Sequence, residues 1–383
     1  MRGCRLWSWM GYGVFLSTVG IFCSAVSIRA YANLKLEPIG FSQLPSHTRF
    51  AGSSVGGLSG LDYDPDSQQW ILISDDKASK GPARAYLARL PISAQQVGPL
   101  SLKKMIEFSQ PNGTPYPNWV HFTLNQRGDV PDFESVRFNP VTHAIRYTSE
   151  GVRILGLDPF IREAKPNGRY LSSLPIPDAV KMDRIQGHHG VYNNLAFEGS
   201  SFTGDGKYYF VAMETALQQD GKPSTATQGA PARIIQYDHK DHIIAQYVYP
   251  VEPLAKAPAD GYQGENGVSE ILALDARHLL VLERAGIQDS HGTYHNYIRI
   301  YQVELDGASN VKNVGSLRDV HYQPLHKKLL WDMNQAGNFP LDNYEGMSFG
   351  PRLADGRRTL VLISDDNFNP QQHTYLVGFA MDE

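Results

Sequence analysis

The sequence predicts an all-β protein, a β-propeller of four-stranded blades, and three observations carry that prediction. One pattern recurs five times: an acid or its stand-in, a short apolar strand, a turn, a second apolar strand and a second acid. Its first positions, Ser59, Glu134, Glu198, Glu270 and Glu345, are separated by 75, 64, 72 and 75 residues. The composition suits short strands joined by many turns, with 35 Gly, 24 Pro and more Tyr (20) than Phe (16). A strand repeat of this length denotes a radial array. A β-sandwich would explain alternating strands but not the returning acids.

The first thirty-two residues read as a targeting segment. Arg2 and Arg5 form a positive start, Met10 to Ile28 is mostly apolar, and Ala30-Tyr31-Ala32 is a small-x-small cleavage signal. The alternative is an uncleaved anchor, but Ser17, Thr18, Ser24 and Ser27 interrupt the run. The expectation is an exported protein, periplasmic or secreted, with residues 33–383 as a single domain. Both cysteines, Cys4 and Cys23, fall inside the segment, so the remainder would carry no disulfide. Without the segment's three arginines the net charge moves from −4 to −7. A mildly acidic chain gives no reason to expect nucleic-acid binding. No later stretch is long and apolar enough to span a bilayer. A monomer is expected.

Residues 33–41 read as a strand ahead of the first repeat. Each repeat then opens with alternating apolar residues, such as Leu61 and Tyr63, Val136 and Phe138, or Met347 and Phe349. Turn residues follow, as in Asp64-Pro65-Asp66 and Thr203-Gly204-Asp205-Gly206. The second strands are continuously apolar, for example Leu279-Leu280-Val281-Leu282, as expected of strands covered on both faces. Third strands are predicted at 85–89, 152–155, 233–237, 297–301 and 375–379. Fourth strands are predicted at 102–108, 170–176 and 243–249. The last repeat ends after its third strand, so the N-terminal strand is predicted to complete it and close the ring. Five repeats give five blades; six would result if the connection 91–131 or 306–342 held a further one.

The two acids of each repeat flank a predicted hairpin, so they share its open end. Propeller symmetry then gathers them at one face, near the channel. One set is Glu134, Glu198, Glu270 and Glu345, broken by Ser59; the other is Asp75, Glu150, Glu214, Glu283 and Asp365, extended by Asp76 and Asp366. Crowded carboxylates must either take up protons or bind cations. An all-oxygen donor set suits Ca²⁺, which takes 6–8 oxygens, better than Zn²⁺. The competing account is that the acids pair with Arg84, Arg153, Arg233, Arg284 and Arg299.

These segments resemble the phytase-like family described as "esterase-like activity of phytase". The matching text is Asp132-Phe133-Glu134-Ser135 with Ser149-Glu150-Gly151, Asn193-Asn194-Leu195-Ala196-Phe197-Glu198-Gly199, Ser269-Glu270-Ile271 with Leu282-Glu283-Arg284, and Asn343-Tyr344-Glu345-Gly346 with Ser364-Asp365-Asp366-Asn367. The resemblance implies a propeller related to calcium-dependent phosphoester hydrolases. The aspartate-rich opening motif of well-defined propeller phytases is absent, so phytate itself is not implied.

For phosphoester hydrolysis, carboxylates would fix the cations, and basic groups would offset charge on the phosphoryl group. Asp75, Asp76, Glu134, Glu150, Glu198, Glu214, Glu270, Glu283, Glu345 and Asp365 are the candidate metal ligands. Glu198 and Glu214, with Lys77 and Arg284, are the candidate catalytic residues. Arg84 and Arg233 are candidate phosphate contacts. His188 and His189 could supply an acid or base near neutral pH, and Asn194 and Asn367 could bind substrate. For each basic residue the simpler alternative is a salt bridge, and for each Asn a bond to backbone. Gly57-Leu58-Ser59-Gly60 falls one residue short of a nucleophile elbow, and no P-loop appears. The leading expectation is an exported Ca²⁺-dependent hydrolase of small phosphate esters. The rivals are a non-catalytic Ca²⁺-stabilised propeller that binds a glycan, peptide or envelope protein, and a lactonase-type metal propeller.

Overall fold

The inner strands touch one another in a closed circle. The structure, a computed structural model, describes residues 34–183 and 187–383. The predicted targeting segment lies outside the described residues. The chain enters through β1 (Lys35–Gln43) and a small hairpin, β2 (Arg49–Phe50) and β3 (Ser53–Ser54). Blade one follows as β4 (Leu58–Asp64), β5 (Gln69–Ser74), β6 (Arg84–Arg89) and β7 (Ser101–Glu107). Blade two comprises β8 (Phe133–Phe138), β9 (Ile145–Ser149), β10 (Phe160–Ala164) and β11 (Tyr170–Ser173). Blade three comprises β12 (Phe197–Phe202), β13 (Tyr208–Met213), β14 (Ala230–Asp238) and β15 (Ile243–Val251). Blade four comprises β16 (Gly264–Ala273), β17 (His278–Gln288), β18 (Tyr294–Glu304) and β19 (His326–Asp332). Blade five holds β20 (Asn343–Gly350), β21 (Arg358–Asp365) and β22 (Tyr375–Asp382), and β1 pairs antiparallel with β22 as its outer strand.

The predicted closure is therefore formed. Strand β4 contacts β8, β8 contacts β12, β12 contacts β16, β16 contacts β20, and β20 returns to β4. There are five blades. The connection 91–131 contains β7 and the short helix α1 (Trp119–Asn125), and 306–342 contains β19 and α2 (Met333–Ala336), so neither adds a blade. Among the described residues no helix is long and apolar enough to cross a membrane.

Apolar layers lie between adjacent blades. Ile71, Ile73 and Ala85 of blade one pack with Phe133, Val136 and Tyr147 of blade two. Phe210 and Ile234 of blade three pack with Ile271 and Val281 of blade four. A blade sandwiched in this way needs second strands apolar on both faces, which is why β5, β13, β17 and β21 read as continuous runs.

One predicted strand is absent. Residues 152–155 are mostly apolar, yet Arg153–Leu155 form a 3₁₀ turn, and β10 supplies the third strand of blade two. Gly151 (φ 70°) and Gly156 (φ 71°) bracket the segment in left-handed conformations, which turn the chain before a strand can run.

Every inner strand carries a bulge at the same place. Register breaks at Ser59 in β4, at Glu134 and Ser135 in β8, at Glu198 and Gly199 in β12, at Ser269 in β16 and at Glu345 in β20. Bulges re-aim side chains beside sites, and these define the equivalent positions of the five blades.

Candidate functional site

Two residues before each bulge, the inner strand faces the end of the second strand. The facing residues are Gly57 and Asp75, Asp132 and Glu150, Ala196 and Glu214, and Asn343 and Asp365. In blade four the pair is Gly267 and Arg284. Blade four thus carries Ser269 and Arg284 where blades two, three and five carry two acids. Glu270 and Glu283 each sit one residue away from the equivalent position. A one-residue slip sends a strand side chain to the opposite face, so neither reaches the mouth.

Glu270 instead points into the channel. It lies 2.6 Å from Arg137 Nη2, and its Oε1 accepts the Ser200 and Ile271 amides, each at 2.9 Å. Glu283 is locked in the blade, accepting from Tyr249 Oη at 2.6 Å, Lys327 Nζ at 2.6 Å and Asn266 Nδ2 at 3.0 Å. Asp76 turns away to pair with Arg84 at 2.8 Å, and Arg84 also donates to Tyr86 and to the Ser54 carbonyl. Arg233 makes a two-pronged pair with Asp220, at 2.7 and 3.0 Å. His188 lines a separate hollow with Tyr192 and Arg318, and His189 Nε2 lies 3.3 Å from the Asp178 carbonyl. These placements remove Asp76, Glu270, Glu283, Arg84, Arg233, His188 and His189 from the acidic cavity. Arg84 and Arg233 are consumed by salt bridges, as the simpler account expected.

The other candidates converge. A cavity of about 140 Å³ at the propeller mouth is lined by Asp75, Glu134, Glu198, Glu214 and Glu345, with Lys77, Arg284, Asn194 and Asn367. Asp132 and Glu265 also line it and were not among the sequence candidates. Asp132 occupies a position held elsewhere by Gly57, Ala196, Gly267 and Asn343, so repetition could not flag it; its only signal was the Asp132-Phe133-Glu134 text itself. Larger hollows lie elsewhere, one of about 550 Å³ around Arg146. There Arg146 is paired with Glu163 and Asp241, and Lys207 with Asp205.

The carboxylates form three tight groups. Asp132, Glu134 and Glu150 make one; Glu150, Glu198 and Glu214 make a second; Asp75, Glu345 and Asp365 make a third, with ligand atoms within 4.8 Å of one another in each. Among the described residues, burial and neighbouring acids are the main influences on the Glu134 carboxylate, while Glu198 shares a side-chain hydrogen bond with Glu150. Glu150 Oε1 accepts from the Ala196 amide, yet its buried Oε2 has no partner. Asp365 Oδ1 accepts from the Asn367 amide at 2.9 Å, and its buried Oδ2 has no partner. Orphaned buried oxygens aimed among other oxygens fit a cation.

Charge explains the proton affinities. Burial, then Asp132, pushes Glu150 from 4.5 up to about 8. Burial raises Asp132 to about 6 against the pull of Lys77. Burial and neighbouring acids hold Asp75, Glu134, Glu198, Glu214 and Asp365 above the usual carboxylate range. Burial raises Glu345 too, opposed by Arg284.

Two cations are set among the acids. Lys77 Nζ lies 2.7 Å from Asp132 and donates to Asn194 Oδ1 at 3.0 Å, joining blades one, two and three across the mouth. Arg284 lies 2.8 Å from Glu265, 3.6 Å from Glu345 and 4.0 Å from Glu214. Burial would lower Lys77, but Asp132, Glu134 and Glu150 outweigh it and the net shift is upward. The loops that deliver these groups hold left-handed conformations at Lys77 (φ 53°), Asn194 (φ 56°) and Asn367 (φ 47°). Such backbone costs of order 1–3 kcal/mol per residue and clusters at functional sites.

The family described as phytase-like, "esterase-like activity of phytase", matches residues 53–368. The chain belongs to that phytase-like family. The match runs from β3 through β21, leaving out β1 and β22 of blade five, and the acids of the mouth lie inside it. No curated protein matches the chain. Similar solved structures include the N-terminal domain of Nup159, at 12% identity and TM-score 0.36, covering 91% of this chain and 96% of that one. A thermostable family-43 glycoside hydrolase is 10% identical at TM-score 0.39, covering 85% and 89%. MPT-4, a mannose phosphorylase from Leishmania mexicana, is 9% identical at TM-score 0.36, covering 86% and 84%. None of these three likenesses bears on the activity of the phytase-like chain.

Proposed function

We propose that this phytase-like propeller is an exported, Ca²⁺-dependent hydrolase of small phosphate esters that works at the acidic mouth. The observation that supports this reading is the juxtaposition of buried carboxylate groups, one with the orphan Glu150 Oε2, and two cationic side chains in one cavity. Glu134, Glu150, Glu198 and Glu214 would hold a cation with hard oxygen ligands. When bound, such an ion polarises a phosphoryl oxygen and acidifies its water.

The chain's own residues supply the rest. Arg284 offers a planar, permanently charged donor set toward phosphoryl oxygens. Lys77 offers a point charge on the opposite rim, held in place by Asp132 and Asn194. The cavity holds about 140 Å³, roughly the room of four or five waters at ≈ 30 Å³ each. That space takes a phosphoryl group and leaves the rest of the ester outside, among the rim loops.

The test is an assay of the purified protein with excess calcium or a chelator on phosphomonoesters, phosphodiesters, carboxyl esters and lactones. Calcium-dependent phosphate release is expected, and Glu198→Gln should lower it by about 100-fold or more, since even outer partners of metal ligands cost 10–100-fold. Cation-dependent melting with no turnover on any ester would overturn the enzyme reading in favour of a binding propeller.

A further inference from the structure

Exposed apolar side chains are unevenly placed over the propeller. Loops that lead into an inner strand, or join a second strand to a third, lie at the mouth face; the remaining turns lie at the opposite face. Among the described residues, twelve large apolar or aromatic side chains are exposed. Seven of them sit on mouth-side loops or at the mouth end of a strand, and one, Val141, sits in a turn of the opposite face. Single exposed apolar residues need no explanation, but a set gathered around a polar cavity does.

A ridge in blade two is the densest part of the set. Asn118 caps α1 by accepting the His121 amide at 2.9 Å, and Phe122 pins the helix against Val130 and Val152. The opposite side of α1 then carries Val120 and Leu124, 61% and 74% exposed and one turn apart, with Trp119 beside them. Ile154, 69% exposed, stands on the neighbouring 3₁₀ turn, whose Leu155 packs against the same Phe122 cluster. That turn follows directly on Glu150, so the ridge borders the acids. In blade four, Tyr262 and Tyr294 flank the strand ends that bear Glu265 and Arg284; in blade five, Leu341 precedes Asn343 and Glu345.

Charge selects what this rim can meet. The chain has a net charge of −4, yet no acid falls between Glu107 and Asp129 or between Glu150 and Asp158, and those stretches hold His121, Arg127 and Arg153. An acid-free ridge with apolar tips and basic flanks is complementary to a phospholipid surface, where phosphates lie above acyl chains. Trp and Tyr are the side chains that favour that boundary.

We propose that the mouth face docks on a phospholipid surface. Val120, Leu124 and Ile154 dip below the phosphates, Trp119, Tyr262 and Tyr294 sit at the boundary, and the cavity faces the headgroups. Docking rests on the rim alone; that the docked cavity receives a phosphate ester carried by a lipid rests on the hydrolase reading.

Phosphatidylcholine vesicles test this on the whole protein, with a chelator present so that no cation bridges the acids to the lipid. Co-sedimentation should show binding that the double variant Val120→Asp, Leu124→Asp weakens at least tenfold, while Val141→Asp on the opposite face leaves it unchanged. Vesicles of brominated phosphatidylcholine should quench the emission of Trp119, taken as the difference between the wild type and Trp119→Phe. That readout is confined to the ridge and stands if the aspartate variants fail to fold. Equal binding of the folded double variant and the wild type, or Trp119 emission untouched by bromine, would overturn the docking. So would a dimer that the double variant dissolves, because a second copy would then cover the ridge. No arm measures turnover, so failure of the hydrolase reading and failure of the docking are distinguishable.

Discussion

Arg137 reaches every other blade from its place on β8. Its Nε donates to the Ser200 carbonyl of blade three at 2.5 Å, and Nη1 donates to Leu61 of blade one at 2.5 Å. Nη2 meets Met347 of blade five at 3.2 Å, Ile271 of blade four at 3.4 Å and the Glu270 carboxylate at 2.6 Å. A planar guanidinium with five donors can do this, and an ammonium with three cannot. The residue plugs the channel beneath the acidic mouth and satisfies carbonyls of the four other inner strands. Arg137→Met should therefore cost about 3–5 kcal/mol in urea unfolding, because Glu270 would remain buried and unpaired. Adding Glu270→Gln should return part of that loss. Equal stability of the single variant and the wild type would refute the role.

At the scale of the element, the recurring bulge decides what the mouth contains. It brings neighbouring inner strands close enough that the following residue is Gly in blades one, three and five. A Cβ on Gly199 would lie 2.5 Å from Glu270 Cα, with backbone that cannot step aside. At Gly346 the nearest atom is instead a side-chain methyl of Ile363, at 2.6 Å. Gly199→Ala is thus expected to destabilise by about 1–3 kcal/mol, as overpacking does, and Gly346→Ala by less. Thermal melting of the two variants checks the order, and a larger loss at Gly346 would contradict it.

The same bulge explains what was legible in the sequence. Where an acid recurs at the bulge and at the end of the second strand, as with Glu134 and Glu150 or Glu198 and Glu214, the pattern located the mouth correctly. In blade four Glu270 follows the bulge residue Ser269, and Glu283 precedes Arg284, so an acid stands beside each true position. Pattern matching tolerates a shift of one; a pleated strand does not, because its side chains alternate between faces. Arg137 was invisible for a different reason. Its equivalents in the other blades are Asp62, Ser201, Leu272 and Ser348, a set without another cation. Function at the axis of a propeller needs one such residue, and a single occurrence leaves no repeat to read.

At the scale of the whole molecule, the ring gathers more negative charge than two cationic side chains offset, and pH exposes the imbalance. Lys77 and Arg284 are both shifted upward, so they stay charged through the neutral range. The carboxyls do not. Asp132 is raised from 3.8 to about 6 and Glu150 from 4.5 to about 8. An acid whose folded pKa is raised holds a proton in the native state that the unfolded chain has released. Its stabilising contribution is complete below the unfolded value and is lost as pH rises through the folded one. In a chelator, Tm should therefore be highest near pH 5 and fall toward pH 8.5, in steps that follow Asp132 and then Glu150. Excess calcium should flatten or reverse that slope, because the ligands bind the ion only after losing their protons, so ion binding strengthens over the interval in which proton binding fails. Differential scanning calorimetry from pH 5 to 8.5, with and without the ion, separates the two curves. A chelated protein that melts higher at pH 8 than at pH 5 would mean that the mouth carries its charge without help, and the case for cations there would fall with it.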